Sequence, residues 1–472
     1  MTFLASSVSP LNPEAAEPIY RQIYDRIRGA IAGGVLKPGD RIPSARALMT
    51  ELGLARGTIE AAYSLLAAEG YVQARGQAGT VVTPDLQPRQ VMAVAPPAAA
   101  VKDASPTFRP DTTLPFQMGL PALDAFPRKI WARLGARCIR SMQPGDMVLP
   151  PPAGLAALRS EIAAYLHVSR GVACVPEQVF VTSGYHHTLG LVARALLQPG
   201  DPVWLENPGY PPTRQILGDA GAKPITVPVD RDGIMVSEGL RIAARARAAV
   251  VTPAHQSPLG VSLSLPRRLA LLEWAARQAA WIVEDDYDGE YRYVSRPLPA
   301  LKSLDRNGRV LYAGTFSKVL FPSLRLAYLV VPEPLVARFD AVSPSFAGAS
   351  PQLTQAILAA FMAEGHFARH IQRMRKLYAE RRQHAATALA GVLGKHVSID
   401  LQPGGMHLIL RLRGRRSDRR FVERMREAQL YGEALSDWTI GDATQNAVLL
   451  SFTNIDSPRT AEALARRMLA LA

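Results

Sequence analysis

Cysteine is scarce: Cys138 and Cys174 are the only two in 472 residues, too few for a disulfide framework in a chain of this length. Long apolar runs are missing too. The best, AVLL at 447–450 and YLVV at 328–331, are strand-sized, whereas a helix that crosses a bilayer needs roughly 18 to 20 apolar residues. This excludes a membrane-spanning helical protein. The opening MTFLASSVSPLNPEAAEP has no basic stretch followed by a sustained apolar one, so it does not read as a secretory leader. A cytoplasmic protein is expected. With 48% hydrophobic and 20% charged residues, neither a disordered chain nor a fibrous repeat fits. At roughly 100 to 200 residues per domain, the length allows two to four domains.

The 54 Lys and Arg against 40 Asp and Glu give a net charge of +14, which favours acidic partners such as nucleic acid. The excess is not spread evenly. Residues 1–83 hold 8 basic and 7 acidic groups, whereas residues 366–424 hold 14 against 4, including Arg411, Arg413, Arg415, Arg416, Arg419 and Arg420. That stretch reads either as a solvated helical face or as a surface that touches DNA backbone.

Between Pro84 and Thr113 the chain is rich in Pro and Ala without helical or strand period, the texture of a linker. We therefore expect a first domain over 1–83, a linker over 84–113 and a second domain over 114–472. In the first, Tyr20, Ile23, Ile27 and Ile31 recur at helical spacing and Gly33-Gly34 stops the helix. Ser44 is placed to cap a second helix through Leu48 and Leu52, ended by Gly53. Ile59, Tyr63 and Leu66 share one face of a third, and YVQARGQAGTVVT reads as two strands about a glycine turn. Three helices and a hairpin make a winged helix-turn-helix.

Such a unit presents the start of its third helix to base edges in the major groove, where Arg56 and Thr58 sit. Arg46, Lys37, Arg41 and Arg75 are placed to meet phosphates, and the wing at Gly76 and Gly79 to enter a minor groove. A small protein-interaction module has the same pattern. The run from PIYRQIYDRIRGAIAGG through AEGYVQARGQAGTVV resembles a GntR-type winged helix over nearly its whole length. The resemblance implies DNA contacts at Arg46 and Arg56, then Thr58 and Gly79. Ala55 departs from it, standing where that family usually caps the recognition helix with Ser, at a stability cost of about 1 kcal/mol.

After the linker, short apolar runs alternate with helical stretches: VFVT (179–182), PVWLE (202–206), AAVVT (248–252), WIVED (281–285), RVLYAGT (309–315) and AYLVV (327–331). Their continuous apolar character suits parallel strands covered by helices on both faces. The fold class expected is an α/β main domain, a mostly parallel sheet flanked by helices, with a smaller C-terminal α/β subdomain from about Gln352. Open sheets of this kind bind ligands at the carboxyl ends of their strands, and several strands here end in polar residues.

Those ends supply groups that together fit pyridoxal 5'-phosphate. In GTFSKVLFPSLR, Lys318 offers an amine for a Schiff base, while Arg325, Thr315 and Ser317 offer an anion site. In WIVEDDYDGEY, Asp285 is placed to pair with a pyridinium nitrogen and Tyr287 to donate to a ring hydroxyl. TSGYHHTLG sets Gly184 and Tyr185 at the start of a helix, whose free amides favour a phosphate. Tyr210 in ENPGYPP offers a stacking surface. His366 and His370, four apart, lack the companions of a zinc site and read as helix surface; no metal is expected.

From about residue 114 to the end, PPAGLAALRSEIAAYL, VTSGYHHTLGL, ENPGYPP, TPAHQSPLGVSLSLPRR, EDDYDGEYRY and GTFSKVLFPSLRLAYLV resemble the fold type I aminotransferases. With the GntR-like segment in front, the chain is similar to the MocR/GabR-type transcriptional regulators. That resemblance implies an internal aldimine at Lys318, with Asp285 on the ring nitrogen, Tyr287 on the ring oxygen and Tyr210 stacking. It places Arg325, Ser317 and Ser183 near phosphate and brings His255 or Gln256 toward the cofactor. It further implies a double-stranded DNA operator, a small amine or amino-acid effector and a head-to-tail homodimer. Leu449 falls where aminotransferases place a carboxylate-gripping arginine, which argues against α-amino-acid transamination unless Arg411, Arg413 or another cation substitutes. A non-α amino acid, an amino sulfonate or pyridoxal phosphate itself then becomes the expected ligand. The alternative is an active aminotransferase carrying a DNA-binding domain.

Overall fold

The computed structural model describes residues 11–12, 15, 17–76, 79–84, 113–293, 299–346, 350–414, 416–441 and 446–471. The chain divides into two compact units, residues 1–108 and 109–472. Most of the expected linker lies outside the described residues, as does Arg415.

The first unit holds α1 (Ile19–Ala32), α2 (Ala45–Leu52), α3 (Arg56–Ala68) and an antiparallel hairpin of β1 (Val72–Ala74) and β2 (Thr80–Val82). Its core is the expected apolar faces: Ile23, Ile27 and Ile31 meet Leu48, Ile59, Tyr63 and Leu66. Tyr24 joins them in place of Tyr20, which stands in the first turn of α1 with 39% of its surface exposed. The Ser44 hydroxyl accepts from the Ala47 amide at 3.1 Å and caps α2, whereas Ala55 gives α3 no side-chain cap.

In the second unit α4 (Arg128–Ser141) and α5 (Ala156–Arg170) precede β3 (Val179–Thr182), α6 (Tyr185–Leu196), β4 (Pro202–Asn207) and α7 (Pro211–Asp219). Then come β5 (Lys223–Asp230), β6 (Gly233–Ile234), α8 (Val236–Ala243), β7 (Ala248–Val251), α9 (Leu265–Gln278), β8 (Trp281–Asp286), β9 (Val310–Thr315) and β10 (Ala327–Val330). They form one eight-stranded sheet in the order β3-β10-β9-β8-β7-β4-β5-β6. Strands β5, β4, β7, β8 and β9 run parallel. Consecutive residues go to opposite covered faces: Val203 and Leu205 join one core cluster, Trp204 another. Both faces being buried is why these strands read as unbroken apolar runs.

AYLVV departs from the expected parallel arrangement: β10 is antiparallel to both β9 and β3. The eleven residues that join β9 to β10 contain only a single 3-10 turn, and without a crossover helix the chain must return in the opposite direction. That short return carries Lys318 and Arg325.

The C-terminal part adds α10 (Val336–Val342), α11 (Gln352–Ala363), α12 (His366–Leu393), β11 (Val397–Asp400), β12 (His407–Leu412), α13 (Asp418–Glu427), β13 (Glu433–Ala434), β14 (Ala447–Ser451) and α14 (Pro458–Leu469). Its strands make an antiparallel sheet in the order β11-β12-β14-β13. The subdomain starts later than Gln352. Ile357, Leu358 and Phe361 of α11, with Phe367 and Ile371 of α12, bury themselves against the large sheet, and only from Met374 does α12 join the small core. Phe116, Ala122 and Ala125, from the start of the unit, complete that small core.

His370 is not on the surface as expected. It is 6% exposed, and its Nε2 donates to the Val319 carbonyl at 2.9 Å, tying α12 to the residue after Lys318. His366 turns away to Glu364, 3.3 Å distant.

Candidate functional site

Strand pleat separates the acids of β8. Asp285 faces a cavity at the carboxyl ends of the strands, and its neighbours Glu284 and Asp286 point to the other side. Glu284 accepts from the Leu301 and Lys302 amides at 2.7 and 2.8 Å. Asp286 pairs with buried Arg170 at 2.8 Å and accepts from the Tyr312 hydroxyl. Among the described residues no protein donor reaches the Asp285 carboxylate. Burial, then the charges of Asp286, Glu206 and Asp288, push it up to about 8.

Lys318 and Arg325 come from the return between β9 and β10. The Lys318 ammonium donates to the Gly119 carbonyl at 3.0 Å. Burial lowers its pKa, opposed by the carboxylates of Glu433, Asp288 and Asp285, so it is more easily neutral than a surface lysine. Gly119 has φ 78° and a Cβ there would stand 2.6 Å from Nζ, so the amine needs a glycine at this point. Arg325 itself holds a left-handed backbone, φ 51°, which costs a residue with a Cβ about 1 kcal/mol. That geometry lays its guanidinium over Gly184, where an added Cβ would meet it at 3.3 Å. Gly184 immediately precedes α6. A guanidinium and a helix start thus face the same space, with Thr315 and Ser317 beside them, the arrangement that binds a phosphate.

Tyr210, just ahead of α7, lies edge-on to Tyr185 at 5.7 Å and tilted against Trp438 at 5.6 Å. Tyr185 is fixed by a 2.7 Å hydrogen bond between its hydroxyl and Thr213. Tyr287 lies 2.9 Å from His255 Nδ1, which also meets Asp288 at 3.2 Å. Burial and Asp288 hold the Tyr287 phenol well above its ordinary value, so it stays a donor.

Lys318, Asp285, Tyr287, Tyr210, Arg325, Ser317, Thr315, Gly184 and Tyr185 therefore line one cavity of about 340 Å³. Ser183, His255 and Gln256 do not. The Ser183 amide and hydroxyl turn to His187, His255 stands behind Tyr287, and Gln256 donates to Glu206 and the Pro208 carbonyl at 3.3 and 2.9 Å. The sequence reading missed Met118, Gly119, Met406, His407, Glu433 and Trp438 as lining residues. Asp288 and Ser257, also missed, lie inside quoted motifs and were legible there. Burial beside His255 drives His407 down to about 4. Its Nε2 donates to the Pro258 carbonyl at 2.8 Å.

Leu449 is buried with Ile409, Leu435 and Ala447, packed by Met118, Leu259 and Trp438. Arg411 is paired with Asp400 at 2.5 Å, and neither it nor Arg413 lines the cavity. Other members of the basic stretch are also engaged within the chain: Arg419 with Asp437 at 2.7 Å and Arg381 with Asp124 at 2.5 Å.

In the winged unit Arg46, Arg56 and Arg75 are exposed and Thr58 is half-buried. Arg56 begins α3 and pairs with Glu60 at 2.7 Å, its side chain 78% exposed. The Arg75 amide donates to the Gly79 carbonyl at 2.8 Å and shapes the hairpin turn.

The donor set of the cavity fits pyridoxal phosphate: a buried amine, an acid without a partner, a phenol donor, aromatic faces and a cationic helix start. Residues 122–463 match the family Aminotransferase class I and II, and residues 19–82 match the bacterial regulatory proteins of the gntR family. The chain is 38% identical to the "Probable rhizopine catabolism regulatory protein MocR" of Rhizobium meliloti, over 95% of this chain and 93% of that protein. It is 34% identical to the pyridoxine biosynthesis transcriptional regulator PdxR of Corynebacterium glutamicum, over 96% of each. Its fold is similar to that of LysN, an alpha-aminoadipate aminotransferase of Thermus thermophilus solved with a phosphopyridoxyl-leucine adduct. There the TM-score is 0.68 at 29% identity, over 76% of this chain and 91% of that one. The chain thus belongs to the MocR-type transcriptional regulators, in which a GntR winged helix that binds DNA is joined to a class I and II aminotransferase domain built for pyridoxal 5'-phosphate.

Proposed function

We propose that the protein acts in the cytoplasm as a head-to-tail homodimer that reads an operator with its winged units and an amine effector with the cavity. The domains we assign are residues 1–83 for DNA and 114–472 for the effector, joined by 84–113. The single observation that carries the reading is the convergence of Lys318, Asp285, Tyr287, Tyr210 and Arg325 on one cavity. Bound there, pyridoxal phosphate supplies an aldehyde that condenses reversibly with primary amines. Lys318 is the resident amine. Asp285 would hold the ring nitrogen, Tyr287 the ring oxygen and Tyr210 the ring face, while Arg325, Thr315, Ser317 and the start of α6 at Gly184 would hold the phosphate. His255 supports Tyr287 from behind, whereas Ser183 is engaged by His187 and Gln256 by Glu206 and the Pro208 carbonyl.

Whenever its amine is not engaged with the cofactor, Lys318 would stand beside Glu433, Asp288 and Asp285, whose carboxylates favour its protonated form, a local charge change able to bias two arrangements of the chain. Arg56, Thr58 and Arg46 contact the operator, with Arg75 and Gly79 at the wing. Borohydride reduction of the loaded protein followed by peptide mass mapping tests the cavity. A modification at Lys318 is expected, and one elsewhere overturns the assignment. A gel shift with the DNA upstream of its own gene, with and without amine, tests the regulator. The same cofactor-holding residues would serve an active aminotransferase, and sustained product formation at about 1 per second or faster would establish that role.

A further inference from the structure

The small sheet lends the cavity a wall of Met406, His407, Glu433 and Trp438. Glu433 is held by two donors, the Tyr431 hydroxyl and the Trp438 indole, each at 3.0 Å. Directly across the ladder from it stands Leu449, buried and apolar. Among the described lining residues the only Lys and Arg are Lys318 and Arg325, and Arg325 is committed to the Gly184 side. His407 is neutral near pH 7. The wall that faces a ligand's far end therefore offers a carboxyl, raised by burial and held back by its two hydrogen bonds and the charge of Lys318, which a second cation would draw into its charged form. A ligand carboxylate there would meet Glu433 in a poorly solvated space, where two carboxylates cannot both stay charged without strong repulsion.

We infer that the effector is a diamine-class ligand, a primary amine whose far end is a second cationic donor received by Glu433. Met118, Met406 and Trp438 line the space between with apolar surface suited to methylenes. The inference rests on the reading that the cavity receives an amine, and names the chemistry of that amine.

The test titrates the full-length, cofactor-loaded protein with putrescine, butylamine and γ-aminobutyrate at one pH and ionic strength, following the cofactor absorbance and DNA affinity. Putrescine should half-saturate about tenfold below butylamine, and γ-aminobutyrate above both. In Glu433→Gln, which keeps an acceptor for the Tyr431 hydroxyl, the roughly tenfold preference for putrescine over butylamine should vanish, whatever common shift the lost charge beside Lys318 gives to both. Equal or tighter action of γ-aminobutyrate on the unsubstituted protein overturns the inference without needing any variant. A putrescine preference that survives unchanged in Glu433→Gln, with all three amines shifted alike, also overturns it, because Glu433 would then act on Lys318 alone. If a present, Lys318-linked absorbance responds to no amine, the effector reading itself falls and this inference with it.

Discussion

Asp285 and Asp286 are consecutive on β8 and point to opposite faces of the sheet, one into the cavity and the other into an ion pair with Arg170 at 2.8 Å. Pleat alone makes them opposites in role. Asp285→Asn should raise the stability of the cofactor-free protein at pH 7 by a few kcal/mol, about the order of the shift, because the unfolded carboxyl is charged there while burial pushes the folded one up to about 8, a cost the neutral amide does not carry. Its cofactor affinity should fall at least about tenfold. Asp286→Ala strands a buried guanidinium and should lower unfolding free energy by about 3 to 5 kcal/mol, read by urea denaturation.

Lys318→Ala should abolish the borohydride-trappable cofactor while leaving the thermal midpoint of the cofactor-free protein within a few degrees. Among the described residues the side chain makes one hydrogen bond, to the Gly119 carbonyl, and its burial is unfavourable to the charged form. A large loss of midpoint would assign Lys318 to the scaffold.

Stability should depend on pH through His407. Its ordinary value is 6.5 and the folded value about 4, so between these the unfolded chain binds a proton that the folded one refuses. Stability is therefore full above pH 6.5 and lost as pH falls toward 4, by about 3 kcal/mol. Glu206 and Glu284, both pushed up to about 7 by burial, act in the opposite sense, losing stability as pH rises from 4.5 to 7. The difference between the unsubstituted protein and His407→Gln isolates the histidine. A denaturation series from pH 7 to 5 should show one fewer proton taken up on unfolding in the variant.

Arg56→Ala should weaken operator binding by about tenfold or more in a gel shift, without altering the cofactor spectrum. Glu60 competes for the same guanidinium at 2.7 Å, so Glu60→Ala should leave binding intact or tighten it. Equal loss of both DNA and cofactor readouts in Arg56→Ala would point to unfolding.

Local chemistry was legible wherever the partners lie close in sequence. Ser44 could be read as a cap because the amide it satisfies is three residues on, and the strands because burial on both faces leaves unbroken apolar runs. The tie of His370 to Val319 was not, since a helical spacing of four says nothing about a carbonyl fifty-one residues earlier. Arg170 gave no signal either, being an ordinary charge at the end of α5 until β8 brings Asp286 to it.

What the sequence by itself determined is the order of elements, the winged unit and the residues contributed by strand ends, because periodicity, caps and strand termini are local properties. Only the tertiary structure decided the direction of β10, which hangs on a return too short to cross over. It also decided the far wall of the cavity, where Gly119, His407 and Glu433 arrive from segments remote from Lys318. Which charge faces a ligand depends on packing between elements, and no window along the chain contains that information.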